Sequence, residues 1–592
     1  MLYPRLALAL LTLTSAAVAA ETYPTLASRD PAAYVPDLAV TPKGQVSELR
    51  ELVERYTEDH ERLQRFYSVT HSASYDKTFQ AFFETWQQKL AAVPVDGLGV
   101  EGRVDYVLLR SEITYELRVL ARERKKGEEM AALLPFAEGI AELQESRRLL
   151  TAMDPKAAAV TLNKLSQQLA DARKAVEAGL EKSSPGVTKI VALRAAGKLG
   201  ELGDALEDWY KFYDGYDPLF SWWAKDPYQK LSDGLKDYKA VLREKIVGVK
   251  KGEDDPIVGD PVGRGGLMEE LEHEQIAYTP EELLEIANRE FEWCDKEWKR
   301  TAKELGLGDD WKAALEKMKN DYVAPGRQPE LVRDLAREAI DYVTKNKMIT
   351  IPPLAADTWR MKMMTPEEQK TAPFFLGGEE IWVSFPTSDM TQQAKLDSLR
   401  ANNIHLAKAT VFHELVPGHS LQFFMSARYQ PQRKIFETPF WMEGWALWWE
   451  FQMYDRGYTS KDPLDRAGAL FWRSHRCARI IFSLNFHLGK WTPQQCIDFL
   501  VDRVGHDRHT ATGEVRRSFN GSWSPLYQVG YMMGALQLRA LHHDLVEKGG
   551  MPLQEFHDRI MQGGPMPIEM VRARLRGDKL PADYKASWRF AQ

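Results

Sequence analysis

The chain has very little cysteine: Cys294, Cys477 and Cys496 are the three present in 592 residues. So few thiols exclude a scaffold that disulfide bonds hold together, which needs several paired cysteines. We expect buried free thiols, although sequence alone leaves open whether Cys477 and Cys496 pair. None of the three has the Cys–His context that is typical of a cysteine nucleophile.

The chain also lacks long apolar runs and any excess of positive charge. No segment after the N-terminus approaches the ~18 uninterrupted apolar residues of a membrane-spanning helix. The formal net charge is -7 and no basic tract stands out, which argues against nucleic acid as a main partner. Oligomeric state stays open, while a composition of 44% hydrophobic and 28% charged residues is ordinary for a large globular protein.

The N-terminus, residues 1–20, has the features of a secretory signal peptide. Arg5 supplies a positive charge, Leu6 to Leu13 form a short apolar stretch, and the small residues up to Ala20 fit a cleavage site. No cysteine follows that site, so a lipid anchor there is not expected. We predict an exported protein, either periplasmic or extracellular.

The remaining sequence favours helices almost throughout. Thr279-Pro280 and Thr492-Pro493 each begin a helix with a capping box. We predict an N-terminal helical region over 21–250, a Gly-, Pro- and Asp-rich linker or loop over 251–264, and a zinc-site catalytic region over 265–592. The expected fold is mainly α, a large α-superhelical body around a zinc-site cleft. A small edge β-strand or hairpin is expected from Glu380 to Pro386, where an extended peptide would pair.

Metal-site chemistry is indicated by His413-Glu414, which is followed by a second histidine at His419. Zinc proteases usually place two histidines four residues apart, on one face of a helix. Here they are six apart, a rotation of about 600° that leaves the rings roughly 120° apart on an unbroken helix. Pro417 and Gly418 lie between them, so we predict that the helix breaks there and that His419 returns to the same metal.

A third ligand is expected from Glu443, which lies 24 residues after His419 in a strongly apolar stretch. A buried carboxylate needs a partner, and a metal ion is one. Imidazole and carboxylate suit Zn²⁺, so we predict one zinc per chain at His413, His419 and Glu443. Glu450 shares a helical face with Glu443 and would orient a ligand histidine, while Glu437 is a weaker competitor for the metal.

The expected catalytic groups are Glu414 and Tyr531. Glu414 points away from the metal face of its helix and can act as general base. Tyr531 is the first choice for a donor to the oxyanion and Tyr527 the second, with core packing as the alternative for either. Three arginines would either capture a substrate carboxylate or form structural ion pairs: Arg476, Arg517 and Arg539.

Three motifs in this order resemble the DUF885 family, a gluzincin-like family of expected zinc metallopeptidases. They are His-Glu-x-x-Pro-Gly-His at 413–419, Glu-Gly-Trp-Ala at 443–446 and Pro-x₅-Tyr-x-x-Gly at 525–534. The resemblance implies a largely helical chain, zinc at His413, His419 and Glu443, and Glu414 as base. It also places Tyr531 and Gly534 on the family's tyrosine and glycine.

The chain departs from the family's pattern on the substrate side. Tyr527 stands where the family usually has glutamine. Arg479 and His487 match an Arg-x₃-Asp-x-Gly-x-His stretch, but Ser483 and Asn485 replace its aspartate and glycine. The expected metal ligands are unaffected by these changes.

We therefore predict an exported zinc-dependent hydrolase that cleaves peptide (amide) bonds by metal-activated water. One alternative is an amide or ester hydrolase acting on a small metabolite. The other is a non-catalytic protein that binds metal or peptide, which fits less well because Glu414 would have no role there. Substrate preference and exo- or endopeptidase action stay open.

Overall fold

A computed structural model describes residues 30, 34, 46–181, 187–369 and 377–591. The predicted signal peptide, residues 1–20, lies outside the described residues. Within them the chain is mainly helical with one two-stranded sheet, which confirms the predicted fold class. No helix in these ranges is long and apolar enough to cross a membrane.

The helices of the first half are α1 (Arg50–Phe66), α2 (Ala73–Leu90), α3 (Val100–Met130), α4 (Ala137–Arg148), α5 (Pro155–Glu181), α6 (Lys189–Tyr213) and α7 (Pro218–Val241). The next group is α8 (Gly263–His273), α9 (Pro280–Glu304), α10 (Trp311–Lys319), α11 (Gln328–Lys345), α12 (Pro353–Thr358), β1 (Arg360–Met363), α13 (Pro366–Gln369) and β2 (Glu380–Val383). The last group is α14 (Gln392–Ala401), α15 (Ile404–Glu414), α16 (His419–Arg428), α17 (Pro439–Asp455), α18 (Pro463–His487), α19 (Pro493–Val504), α20 (Arg508–Phe519), α21 (Tyr527–His542), α22 (Leu553–Met561) and α23 (Ile568–Arg576).

Two helix starts predicted from sequence are confirmed, because their capping boxes are formed. The Thr279 side chain accepts from Glu282 N at the start of α9, and the Glu282 carboxylate accepts from Thr279 N. Thr492 and Gln495 make the same reciprocal pair at the start of α19. Each pair satisfies backbone N–H groups that the first turn of a helix leaves without a partner.

The predicted strand at Glu380 is present, but it does not belong to a hairpin. β2 pairs with β1 in parallel, with Arg360 opposite Glu380 and Met363 opposite Val383. A parallel pair needs a connection that returns the chain to the same end, so the two strands cannot form a hairpin. Ile381 and Val383 are buried, so one face of β2 contributes to the core.

One run of apolar residues is divided between two helices. Leu396, Leu399, Leu406 and His413 have helical spacing in the sequence, but α14 ends at Ala401 and α15 begins at Ile404. The Asn403 side chain accepts from the N–H groups of residues 405 and 406 and caps α15. Asparagine favours such caps over helix interiors, which is why the helix is divided there.

Two hydrophobic clusters form the interior. Buried residues of α4 to α7 make one cluster, whereas those of α1, α2 and most of α3 share the other with the second half of the chain. Arg433, which is fully buried, joins α3 to that half through Asp105 and Glu101. Residues 251–262 form the expected loop, and the predicted division into 21–250 and 265–592 stays a prediction.

The three cysteines are buried and free, as expected. Cys496 donates to the Phe482 carbonyl over 3.7 Å, and burial raises the pKa of its thiol to about 12. The thiol of Cys477 has Cys294 as its neighbour, not Cys496. No disulfide joins Cys477 and Cys496.

Candidate metal centre

The helix that carries His413 ends immediately after the motif begins. α15 stops at Glu414, α16 starts at His419, and Leu415 between them has non-helical dihedrals (φ -104°, ψ -123°). A side chain at Gly418 would overlap the carbonyl oxygen of His413, so only glycine fits this close return of the chain. The predicted break is confirmed, and it brings the two imidazole centroids to 4.9 Å, nearly perpendicular at 86°.

Glu443 completes a compact triangle with the two histidines. Its Oε2 atom lies 3.4 Å from His413 Nε2 and 3.3 Å from His419 Nε2. All three side chains are buried. Glu437, the competing carboxylate, is near enough to His419 for the charge of that ring to lower its pKa, although burial raises the pKa overall. Glu437 is not part of the triangle.

Two sides of the triangle have the length that a tetrahedral zinc site requires. Zn–N and Zn–O bonds of ~2.0–2.1 Å set any two ligand atoms of a tetrahedron about 3.3–3.4 Å apart. Glu443 Oε2 is buried and makes no hydrogen bond of ordinary geometry with the described residues. A buried carboxylate oxygen needs a compensating charge, so these three side chains could hold a metal ion.

Each histidine of the triangle is oriented by a second side chain. His413 Nδ1 donates to Glu450 Oε1 over 2.8 Å. His419 Nδ1 donates to Gln422 Oε1 over 3.3 Å, and the Gln422 amide in turn donates to the Trp441 carbonyl over 3.1 Å. Because Nδ1 of each ring is hydrogen-bonded, Nε2 of each ring faces Glu443 Oε2. Metal-binding imidazoles usually have this arrangement, with one nitrogen on the metal and the other hydrogen-bonded.

Charges in the cluster are strongly coupled. Burial alone would lower the pKa of His413, but the adjacent carboxylates of Glu443 and Glu450 raise it to about 9. Burial likewise opposes ionisation of Glu443, yet His419 and His413 hold the pKa of that carboxyl well below its usual range. The site therefore favours positive charge between the two imidazoles and the carboxylate.

Glu443 reaches this position because α17 and α21 cross at unusually short range. A side-chain carbon at Gly534 would overlap the Phe440 carbonyl oxygen and lie 2.8 Å from the Gly444 Cα atom. One at Gly444 would lie 2.6 Å from the Gly534 Cα atom. The two glycines thus allow the backbones to touch next to Glu443, a function that sequence spacing alone did not reveal.

The two tyrosines of α21 occupy different positions. The Tyr527 hydroxyl donates to Glu443 Oε1, so it fixes the carboxylate whose other oxygen faces the histidines. The Tyr531 ring lies nearly parallel to that of His413, with centroids 6.0 Å apart. Burial and the charge of Glu443 raise the pKa of Tyr531 to about 12, so its hydroxyl keeps its proton.

Glu414 lies beside the triangle, near enough to both histidines to reach a shared metal ion. Its carboxylate is within 4.8 Å of ligand nitrogens of His413 and His419 and lines the same cavity. The backbone at Gly377, just before β2, packs directly on Glu414, where any side chain would overlap the carboxylate. Glu414 is therefore held at the edge of the candidate metal position.

A cavity of about 510 Å³ opens in front of these groups. Three arginines also line it: Arg476, Arg479 and Arg517. Arg539, the third arginine singled out in the sequence, does not line this cavity and pairs with Asp455 over 3.0 Å.

Sequence reasoning missed the buried ion pair on the cavity wall. Arg479 Nε donates to Glu514 Oε1 over 2.6 Å, and this arginine lowers the pKa of Glu514 to about 2 against the effect of burial. The match of Arg479 to the family's arginine was the one available signal. His487, which matched with it, is buried elsewhere, and burial lowers its pKa to about 4.

A second histidine–aspartate cluster is already saturated by protein groups. His405 Nδ1 and Nε2 contact Asp465 at 2.7 Å and Asp321 at 3.1 Å. Lys408 adds a contact of 2.8 Å to Asp465, and Asp462 caps α18. These pairings make it a structural network that joins α15 to α18.

Fold and site together define a class: a mainly helical protein with a buried His–His–Glu triangle at one wall of a cavity. Residues 60–575 match the family described as "Bacterial protein of unknown function (DUF885)". The chain therefore belongs to the DUF885 family, as the motifs indicated. No curated protein matches the chain.

Two solved structures share the fold across nearly the whole chain. A candidate lipoprotein of unknown function from Shewanella oneidensis is 17% identical with a TM-score of 0.68, covering 90% of this chain and 100% of its own. A candidate lipoprotein from Colwellia psychrerythraea is 16% identical with a TM-score of 0.54, covering 89% and 97%. At such identities the likeness extends to the fold alone.

Proposed function

We propose that this protein is an exported, zinc-dependent peptidase that hydrolyses amide bonds. The observation that carries the proposal is the triangle of His413 Nε2, His419 Nε2 and Glu443 Oε2, with sides of 3.3 and 3.4 Å at the carboxylate. Three protein ligands with nitrogen and oxygen donors are typical of catalytic zinc, whereas structural zinc sites tend to have four ligands rich in cysteine.

Bound zinc would leave a fourth position for water and would polarise a substrate carbonyl. Glu414, at the edge of this position, would accept the proton of the attacking water. The same carboxyl would then deliver that proton to the leaving amine nitrogen, which completes hydrolysis of the amide. Its place next to both histidines and on the cavity wall supports this role.

The two tyrosines are proposed to divide two tasks. Tyr527 is committed to Glu443 Oε1 and would keep that ligand in place. Tyr531 lines the cavity, and its raised pKa of about 12 means that the hydroxyl keeps its proton near neutral pH. It would therefore donate a hydrogen bond to the developing oxyanion.

Export is supported by two independent features. Residues 1–20 have the charge and apolar pattern of a signal peptide. The two structural neighbours are described as candidate lipoproteins, a class found in the cell envelope. N-terminal sequencing of protein recovered from the periplasm or medium should show that these residues are removed; a cytosolic protein that keeps Met1 would contradict the proposal.

The Glu414→Gln variant tests catalysis separately from binding. It keeps the size of the side chain but cannot accept a proton, so it should bind zinc and lose at least about 100-fold in turnover of a peptide mixture followed by mass spectrometry. Glu437→Gln is the matched control, since this carboxylate lies near His419 outside the triangle, and it should retain turnover. Full activity in Glu414→Gln would contradict the assignment of the base.

A further inference from the structure

The cavity has a second, basic wall that the proposed hydrolysis does not use. Three arginines form it, two on α18 and one on α20: Arg476, Arg479 and Arg517. We call this set the arginine wall. Arginine clusters in a cavity are suited to a ligand carboxylate, which the guanidinium can hold with two parallel hydrogen bonds.

The three guanidinium groups differ in how far the protein already satisfies them. Arg479 is paired with Glu514 at 2.6 Å. Arg476 is only 7% exposed, its nearest carboxylate oxygen is 3.7 Å away on Glu450, and its Nε atom has no hydrogen-bond partner in the described part of the chain. The ring centroid of Tyr531 lies 4.5 Å from the Cζ atom of Arg476 and 4.6 Å from that of Arg479.

Of the three, Arg517 has no direct ion pair with a described carboxylate, although its charge helps to lower the pKa of Glu514. It is half-buried and lines the cavity, and it forms no hydrogen bond or ion pair with the described residues. Three of the four carboxylates that line the cavity have closer partners: Glu514 has Arg479, Glu450 has His413, and Glu443 has the histidines. The fourth, Glu414, is the proposed base. A partly desolvated guanidinium without a direct ion pair is stabilised when an anion binds beside it.

A line of aromatic rings connects Arg517 to the metal triangle. Its Cζ atom is 5.9 Å from the centroid of Trp523, whose ring stacks on that of Tyr527 at 4.0 Å. The Tyr527 hydroxyl in turn contacts Glu443. Since an extended residue spans about 3.4 Å, only a few residues of peptide would separate a carboxylate at Arg517 from an amide at the metal.

We infer that the arginine wall binds a carboxylate of the substrate, with Arg517 as its direct partner, and that the C-terminal carboxylate of a short peptide is the group that fits. This inference rests on the proposed function and assigns its substrate class. The cavity volume of about 510 Å³ suits a small ligand. The same chemistry would accept a carboxylate from an aspartate or glutamate side chain, so the experiment separates these two sources.

Binding to the zinc-loaded Glu414→Gln protein tests the inference without requiring turnover. Calorimetry would compare three probes: trialanine with a free C-terminus, trialanine amide, and the amide of Ala-Ala-Glu. We expect trialanine to bind at least about tenfold more tightly than its amide, because a charge-assisted hydrogen bond is lost in the amide. If the Ala-Ala-Glu amide binds as tightly as trialanine, the acidic side chain is the source of the carboxylate and the C-terminal assignment is wrong.

Substitutions on the same background show whether Arg517 is responsible. Arg517→Gln should abolish the difference between trialanine and its amide, and Arg517→Lys should restore part of it. Arg516→Gln is the matched control, since Arg516 contacts the Asp255 carbonyl instead, and it should leave the difference intact. Equal binding of all three probes, or a difference that survives Arg517→Gln in a protein that still holds zinc, would overturn the inference.

Failure of the carboxylate subsite can be distinguished from failure of the proposed peptidase activity. If the wild-type protein cleaves no peptide while the Arg517-dependent preference for a free carboxylate is present, then the binding subsite stands and the catalytic proposal fails. If peptides are cleaved equally well with free and amidated C-termini, then the peptidase stands and the carboxylate subsite fails.

Discussion

At the scale of single residues, the candidate site contains two glutamates and two tyrosines whose members make different contacts. Glu443 faces both histidines, whereas Glu450, seven residues later on the same helix, orients His413 through Nδ1. Tyr527 and Tyr531 are similarly divided, one on the carboxylate and the other over the His413 ring. Residues of the same type are therefore expected to respond differently to the same substitution.

Removal of the hydroxyl of Tyr527 should weaken metal binding. Tyr527→Phe deletes the donor to Glu443 Oε1, and loss of such an outer partner typically lowers zinc affinity about 10–100-fold. A competition titration with a zinc-binding dye would measure the change. Unaltered zinc affinity in Tyr527→Phe would show that Glu443 does not depend on this contact.

Tyr531→Phe should show the opposite pattern. Its hydroxyl does not touch a ligand in the triangle, so zinc affinity should be kept, whereas kcat should fall about 100–1000-fold if it stabilises the oxyanion. Steady-state kinetics on the best peptide substrate would decide this. A loss of zinc with unchanged kcat in the loaded protein would reverse the roles of the two tyrosines.

At the scale of elements, the site is assembled where helices break or touch. The break between α15 and α16 was predictable, because a six-residue spacing cannot place two rings together on one helix and Pro417-Gly418 can interrupt it. The division between α14 and α15 was not predictable in this way, because apolar spacing continues across Asn402-Asn403. The Arg479–Glu514 pair was out of reach as well, because it depends on how α18 and α20 pack, which periodicity along one helix does not encode.

The crossing of α17 and α21 should not tolerate a methyl group. Gly534→Ala would overlap the Phe440 carbonyl and push the helices apart, so we expect about 1–3 kcal/mol of lost stability together with weaker zinc binding. Urea unfolding and zinc titration would measure both. Gly197→Ala in α6 is the control: it meets no atom within 4 Å and should stabilise the protein by about 0.5–1 kcal/mol.

At the scale of the whole molecule, one buried arginine holds distant parts of the chain together. Arg433 is 2.6 Å from Asp105 and 2.8 Å from Glu101 on α3, and it donates to the Gly563 carbonyl over 2.7 Å. Sequence could not reveal this junction, since its members are hundreds of residues apart. The same junction places α3 in the core that supports the site.

Arg433→Met should therefore destabilise the protein strongly. It would leave Asp105 and Glu101 buried with less compensation, a loss of about 3–5 kcal/mol in the free energy of unfolding. Arg508→Met is the control, because the Arg508–Asp498 pair is exposed and should contribute less than about 1 kcal/mol. Similar urea midpoints for the two variants would contradict the importance of the buried junction.

Stability should also fall as the pH rises, because of Glu274. Burial raises the pKa of this carboxyl to about 8, so the folded chain keeps a proton that the unfolded chain loses above about pH 4.5. The free energy of unfolding should then decrease by up to ~1.4 kcal/mol per pH unit between about pH 5 and pH 8. Other carboxyls add to the slope, such as Glu116, whose pKa burial raises to about 7, so Glu274→Gln should reduce the slope. Parallel pH curves for variant and parent would refute the prediction.

The presence of a metal ion in the His413–His419–Glu443 triangle is the central claim, and metal analysis of the purified protein tests it most directly. Elemental analysis of the parent, beside a His413→Ala/His419→Ala variant, should find about one zinc per chain in the parent and almost none in the variant. A parent protein that contains no zinc, and takes up none when zinc is supplied, would contradict the claim.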